Sequence, residues 1–372
     1  MHFVLDRRSS AIRSLAAAAL AVLLASAAHG ADGETIRQWQ FARGAQGLEL
    51  ALVEVPRPAP ARGQVAVRVH AVSLNRRDLL MQAGRYGPAA NAAGGVPLSD
   101  GAGEVIAVGD GVTRFKVGDR VAGIFFERWI DGPPSPDALA SARGGNSAGM
   151  LSEVVVSDAA ALVAFPKHLS YEEAATLPCT GVTAWNALFK RGGLDAGDYV
   201  LLEGTGGVSV FGLQFAVAAG AKPIITSSSD EKLERAKKLG AFGTVNYRTN
   251  PDWQKQVRAL TGGKGVDQVL EVGGQDTLPK ALEALGYEGH VAAIGGLSGF
   301  ASNVPIGVLM NLNATVSGIY VGSRADFEAM NEFIAKHKLK PVVDKVFDLA
   351  DARAAFDAMD KDAFFGKIVI RL

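Results

Sequence analysis

The sequence predicts an α/β protein made of two unlike parts, a β domain followed by a doubly wound parallel sheet with helices on both faces. Two observations predict it. In the first half, short alternating runs ("QVAVRVHAVSL", "GEVIAVGDGV", "GDRVAGIF", "LSEVVVSD") are separated by Gly, Pro and Asp turns, the pattern of half-buried strands. After about Tyr171 the rhythm changes to continuous apolar strands alternating with amphipathic helices, the pattern of a parallel sheet buried on both sides. A chain of 372 residues with 48% apolar and 20% charged residues can bury a core in each part.

Residues 1–30 read as a signal peptide. "MHFVLDRRSSAIR" carries Arg7, Arg8 and Arg13, and an apolar run follows that ends in small residues, with cleavage expected after Ala27 or Gly30. The run is too short for a stable membrane anchor, so the expected location is periplasmic or secreted. Arg7-Arg8 leaves both twin-arginine and ordinary export open. Residues 35–165 form the β domain. Within it "ERWIDGPPSPDALASARGGNSAGM" is too rich in Gly, Pro and Ser for an element interior and reads as a surface excursion bordering a site.

Residues 166–315 hold the parallel sheet, with strands in "DYVLLEG", "PIITSSS", "TVNY", "VDQVLEVGG" and "HVAAIGG". In the helix "DEKLERAKKLGA", Leu233, Ala236 and Leu239 share a face and Gly240 ends it. Residues 316–372 return to helix and close on a short strand, "GKIVIRL", expected to rejoin the β domain. Thirty-eight basic against thirty-eight acidic residues leave no net field, which argues against nucleic acid and for a small-molecule partner. One cysteine, Cys179, excludes an internal disulfide.

"VLLEGTGGVSVFG" puts a glycine-rich turn after the first strand of the parallel sheet and at the start of a helix. Gly204, Thr205, Gly206, Gly207 and Val208 are therefore the expected cradle for a dinucleotide diphosphate, with Ser209 in the place of the third glycine. At the end of the second strand, where an acidic residue would bind ribose hydroxyls, the chain has "TSSSDEK". Ser228 and Ser229 can bind a 2′-phosphate and Lys232 can neutralise it, so NADP(H) is the expected cofactor. Asp230 stands against this, although a first-turn acid favoured by the helix dipole explains it too. Lys232 also reads as a solvated helix residue.

With these motifs placed, the chain resembles the zinc-independent, quinone oxidoreductase-like branch of the medium-chain dehydrogenase/reductase (zinc-type alcohol dehydrogenase-like) superfamily. The carriers are "AVSLNRRDLLMQAGRYG", "SDGAGEVIAVGDGVTRFKVGDRV", "LPCTGVTAW", "GTGGVSVFGLQFAVAAGA", "SSSDEKLERAKKLGA", "NYR" and "GKIV". The resemblance implies a GroES-like catalytic domain, a Rossmann nucleotide domain and a homodimer joined through the sheet edges. It also implies that Lys232 and Tyr247 hold the 2′-phosphate, that Thr183 contacts the nicotinamide ribose or a phosphate, and that Gly273, Ile294 and Gly295 border the ring. At the positions where the zinc branch has its first two catalytic ligands this chain has Asn75 and Ser99, so no metal is expected and Cys179 is expected to be a small buried residue near the nicotinamide.

Without a Lewis acid, a simple alcohol is hard to oxidise, whereas a quinone or an α,β-unsaturated carbonyl needs only alignment and hydrogen-bond donors. The expected catalytic residues are Asn75, to fix a carbonyl, Tyr86, to donate to a developing oxyanion, and Asp78, to orient Asn75 or Arg76. Packing of the "RYG" turn is the other reading of Tyr86, and Arg324 reads as either a cleft residue or a surface ion pair. A metal-free alcohol or aldehyde oxidoreductase and a non-catalytic nucleotide-binding protein are the alternatives.

Overall fold

The computed structural model describes residues 33–44, 47–86 and 94–372. The signal peptide expected at residues 1–30 lies outside them. In the nucleotide half, strands Tyr199–Leu202, Lys222–Ser227, Gly243–Asn246, Val266–Glu271, Leu285–Ala293 and Thr315–Gly318 pair in parallel throughout. In space the third strand lies at one edge, followed by the second, first, fourth, fifth and sixth. The order reverses between Tyr199–Leu202 and Val266–Glu271, so the carboxyl ends of these two strands flank the crevice in which such a sheet binds its ligand.

The helix Gly207–Ala218 lies unusually close to these strands because Gly212 has no side chain: a Cβ there would stand 2.8 Å from Leu202 and 2.9 Å from Leu270. Ser209 keeps its place by donating its hydroxyl to the Glu203 carbonyl at 2.6 Å. The close approach usually given by the third glycine of the motif is thus supplied one turn later.

In the β domain the long strand Gln64–Ser73 is the hub, paired antiparallel with Asp100–Val108, Val154–Asp158 and Lys367–Arg371. The last of these is the C-terminal strand returning to the first half of the chain. It brings Gly366 against the phosphate turn, where the Gly366 N–H donates to the Thr205 carbonyl at 3.0 Å. Between the two halves, residues 177–191 wind as π-helical turns on either side of the α-helical turn Val182–Trp185. Thr180 and Thr183 donate their hydroxyls to the carbonyls four residues back, at 3.1 and 2.7 Å, which draws those carbonyls off the regular ladder.

One expectation is corrected here. The stretch around residues 127–150 is a surface excursion only in part: residues 131–137 are exposed as expected, but Ala138, Ala142, Arg143 and Met150 are buried, and the helix Pro136–Leu139 is capped by Ser135. Its glycines allow close approach rather than exposure. A Cβ at Gly149 would meet the Pro97 carbonyl oxygen at 2.0 Å.

Candidate active site

The glycine turn has the geometry of an anion cradle. Gly204 sits at φ +72°, in the left-handed region, and the space above the α-carbons of Gly204 and Gly206 is open for 4 Å. Gly207 opens the helix, and Val208 lies in its first turn. A Cβ at Gly207 would stand 2.7 Å from the Lys367 side chain and 3.0 Å from Thr180, so the turn also needs its third glycine to accept the catalytic domain beside it. The positive end of a 12-residue helix and an unobstructed backbone together fit a dinucleotide diphosphate.

Beside this turn, the ends of Lys222–Ser227 and Gly243–Asn246 bring Ser228, Ser229, Lys232 and Tyr247 together. The Tyr247 N–H donates to the Ser227 carbonyl at 3.1 Å, and its side chain is exposed. Ser229 is the N-cap of Asp230–Lys238, its hydroxyl accepting from the Lys232 N–H at 3.4 Å. Asp230 accepts from the Asn246 amide at 2.7 Å, the first-turn role anticipated for it. The Lys232 ammonium reaches the Asp362 carbonyl at 3.0 Å, beside the mouth of the crevice.

At the other end of the crevice the Glu271 carboxylate accepts from the N–H groups of Gly273 and Gly274 and from the Thr277 hydroxyl, each at 2.7 Å. Its carbonyl accepts from Ile294 at 2.8 Å and Gly295 at 3.2 Å. Glu203 is buried beside it and accepts from the Val272 N–H at 3.3 Å. Burial first, and the Glu271 charge second, push the Glu203 carboxyl well above its ordinary range. Glu203 Oε1 and Glu271 Oε2 have no hydrogen-bond partner among the described residues. Thr183 is buried on the opposite wall. Cys179, half-buried, presents its N–H to Asp100 at 3.4 Å, and burial raises its thiol pKa, so it is an inert wall residue.

Where the two domains meet, Asn75, Ser99, Asp100 and Lys367 close a buried polar ring. The Lys367 ammonium donates to Asn75 Oδ1 at 2.6 Å and to the Leu74 carbonyl at 2.5 Å, and lies 3.9 Å from the Asp100 carboxylate. Asn75 Nδ2 faces the Ser99 hydroxyl at 3.5 Å, and that hydroxyl donates to Asp100 at 2.7 Å. An ammonium only donates, so the atom it touches is the amide oxygen, and the Asn75 NH2 is turned toward Ser99, with one of its two N–H groups directed at that hydroxyl. Burial pushes the Asp100 carboxyl up and the Lys367 ammonium down, each held back by the other's charge. These residues do not fit a catalytic zinc. An amide and a hydroxyl stand at the first ligand positions with the Lys367 ammonium against the amide oxygen, and among the described residues no three His, Cys, Asp or Glu side chains gather.

Asp78 accepts the Asn75 N–H at 2.7 Å, fixing the backbone that carries the amide. Burial raises its carboxyl from 3.8 to about 6, against the pull of Arg77. The raised value means that folding favours the protonated form. The resulting stabilisation is complete below pH 3.8 and is lost as pH rises through about 6. Asp78→Asn keeps the acceptor and removes the titration. Denaturation at pH 4 and pH 7 should show wild type losing about 2 kcal/mol relative to the variant over that interval.

Tyr86 points its hydroxyl at Tyr320, 3.1 Å away, and burial raises its pKa, so it remains a proton donor at neutral pH. Arg324 does not enter the cleft: it donates to the Ala160 carbonyl and pairs with Glu328. Lys367, Asp100, Glu203 and Glu271 belong to the site and were not read from the sequence. The signal available for Lys367 was a lysine opening an apolar strand with both faces buried.

Comparison with known proteins agrees with this layout. Residues 61–167 match the alcohol dehydrogenase GroES-like domain and residues 207–336 match the zinc-binding dehydrogenase family. A zinc-type alcohol dehydrogenase-like protein of Schizosaccharomyces pombe is 45% identical over 316 residues, covering 83% of this chain and 91% of that protein. The chain is a medium-chain dehydrogenase/reductase. Within this superfamily it is also similar to a quinone oxidoreductase of Pseudomonas aeruginosa, 33% identical over 84% of this chain and 87% of the relative. The solved structure of an NAD-dependent alcohol dehydrogenase superposes with a TM-score of 0.81 at 34% identity, covering 90% of this chain and 99% of that one. A medium-chain oxidoreductase that uses a nicotinamide cofactor and a small-molecule substrate follows from this membership.

Proposed function

We propose that the chain is an NADPH-dependent reductase of quinones or α,β-unsaturated carbonyls that works without a metal. The observation that carries the reading is the Lys367 ammonium bonded to the Asn75 amide oxygen, which fixes the amide NH2 with one N–H toward Ser99 and leaves the other to serve as a donor to the substrate. A bound nicotinamide supplies the hydride. Asn75 holds the acceptor carbonyl and stabilises the charge that develops on its oxygen. Tyr86, kept protonated by burial, supplies the second donor and the proton. The likeness to quinone oxidoreductase supports the same substrate class.

The preference for NADPH rests on Ser228, Lys232 and Tyr247, with Asp230 already engaged by Asn246. Lys232→Ala should weaken NADPH by roughly tenfold and leave NADH unchanged, as a charge-assisted phosphate contact of about 1.5 kcal/mol implies. Equal losses for both nucleotides in a fluorescence titration would contradict this assignment.

The reading extends to a homodimer through the free edge of Thr315–Gly318, next to which Phe300, Ile306 and Met310 are 87%, 71% and 76% exposed. It extends also to export, on the charge and hydropathy of residues 1–30.

A further inference from the structure

Arg77, on the helix Arg76–Gln82, is only 7% exposed, yet only part of its hydrogen-bonding capacity is used. Its Nη1 donates to the Arg143 carbonyl at 2.9 Å, while Nε and Nη2 have no partner among the described residues. The other deeply buried arginine shows what is missing. Arg143 pairs with Glu127 at 2.7 Å and donates to Ser157 at 2.9 Å. The Arg77 guanidinium instead lies over the rings of Phe125 and Tyr86, with centroids 4.7 and 5.1 Å away. These rings and the charge of the adjacent Asp78 favour the guanidinium, but they supply no hydrogen bond to Nε or Nη2.

The surroundings favour an anion. Arg77 lines a cavity of about 190 Å3 together with Met81, Tyr86, Gly145, Asn146 and Tyr320. None of these is a carboxylate, and the polar ones can all donate. Nε and Nη2 lie on one edge of the guanidinium plane, the edge that grips a carboxylate through two parallel N–H···O bonds. That edge is buried against Gly145, where a Cβ would stand 2.9 Å from Nη2, so a glycine there keeps a side chain from closing over it.

We propose that Arg77 is a substrate-recognition residue and that the conjugated substrate carries a carboxylate, bound side-on by Nε and Nη2 beside the Tyr86–Tyr320 pair. This rests on the reductase reading and narrows it to acid-bearing enones. The test is a matched pair, (E)-4-oxopent-2-enoate and its methyl ester, assayed with NADPH alongside 1,4-benzoquinone, which has no carboxylate. Wild type should prefer the acid at least tenfold in kcat/KM, chiefly through KM. Arg77→Met should lose that preference and Arg77→Lys should keep part of it. Binding to wild type also needs no variant to fold: in the presence of NADP+, 4-oxopentanoate should bind at least tenfold tighter than its methyl ester. Reduction of benzoquinone and ester with no preference for the acid, or a preference that survives in Arg77→Met, overturns the carboxylate site and leaves the reductase standing. Failure to reduce any acceptor overturns both.

Discussion

Asn75→Ala should lower kcat for a quinone or enone by about 100- to 1,000-fold, the cost of losing one fixed donor to a developing oxyanion. The affinity for NADPH should hardly change, because the phosphate turn and the Ser228, Lys232 and Tyr247 cluster do not touch Asn75. The split is what identifies the role. A side chain that only packed the domain interface would instead weaken cofactor binding and stability together. Rates measured under saturating NADPH, with nucleotide binding followed by fluorescence, separate these outcomes.

Lys367→Met has the second large effect, and it acts on stability as well as on rate. The variant leaves the Asp100 carboxylate buried without its cation, and it strips the donor from the Leu74 carbonyl and from Asn75 Oδ1. Loss of one partner of a buried pair costs about 3–5 kcal/mol. Adding Asp100→Asn removes the orphaned charge and should return much of that stability. Turnover should not return with it, since the cation that holds Asn75 Oδ1 is still missing. Denaturation curves and kcat for the single and double variants check the two halves separately, and recovery of both together would mean that Lys367 serves the fold alone.

The parts of the molecule that were legible in the sequence are those built from near neighbours. The turn at Gly204 and Gly206, the helix Asp230–Lys238 with Leu233 and Ala236 inward, and the closing strand Lys367–Arg371 all carry their signals within a few residues. Asn75 could be singled out because it stands in a motif. Its partner could not, because Lys367 lies 292 residues away and meets it only after the C-terminal strand has crossed back to Gln64–Ser73. The Glu203 and Glu271 pair was hidden for the same reason: each ends its own apolar strand, and only the strand order brings the two ends side by side. Ser229 shows the opposite limit. Its hydroxyl caps the helix by accepting from the Lys232 N–H, a local role that composition does not reveal and that leaves its O–H to donate elsewhere.

The most direct test of the account is turnover of 1,4-benzoquinone and a short enone by the purified chain with NADPH, measured with and without exhaustive metal chelation. Reduction of both acceptors at rates that chelation leaves unchanged is the predicted result. Activity that disappears on chelation and returns with zinc would contradict the assignment of Asn75, held by Lys367, as a donor in place of a metal, and failure to bind either NADPH or NADH would contradict the enzyme altogether.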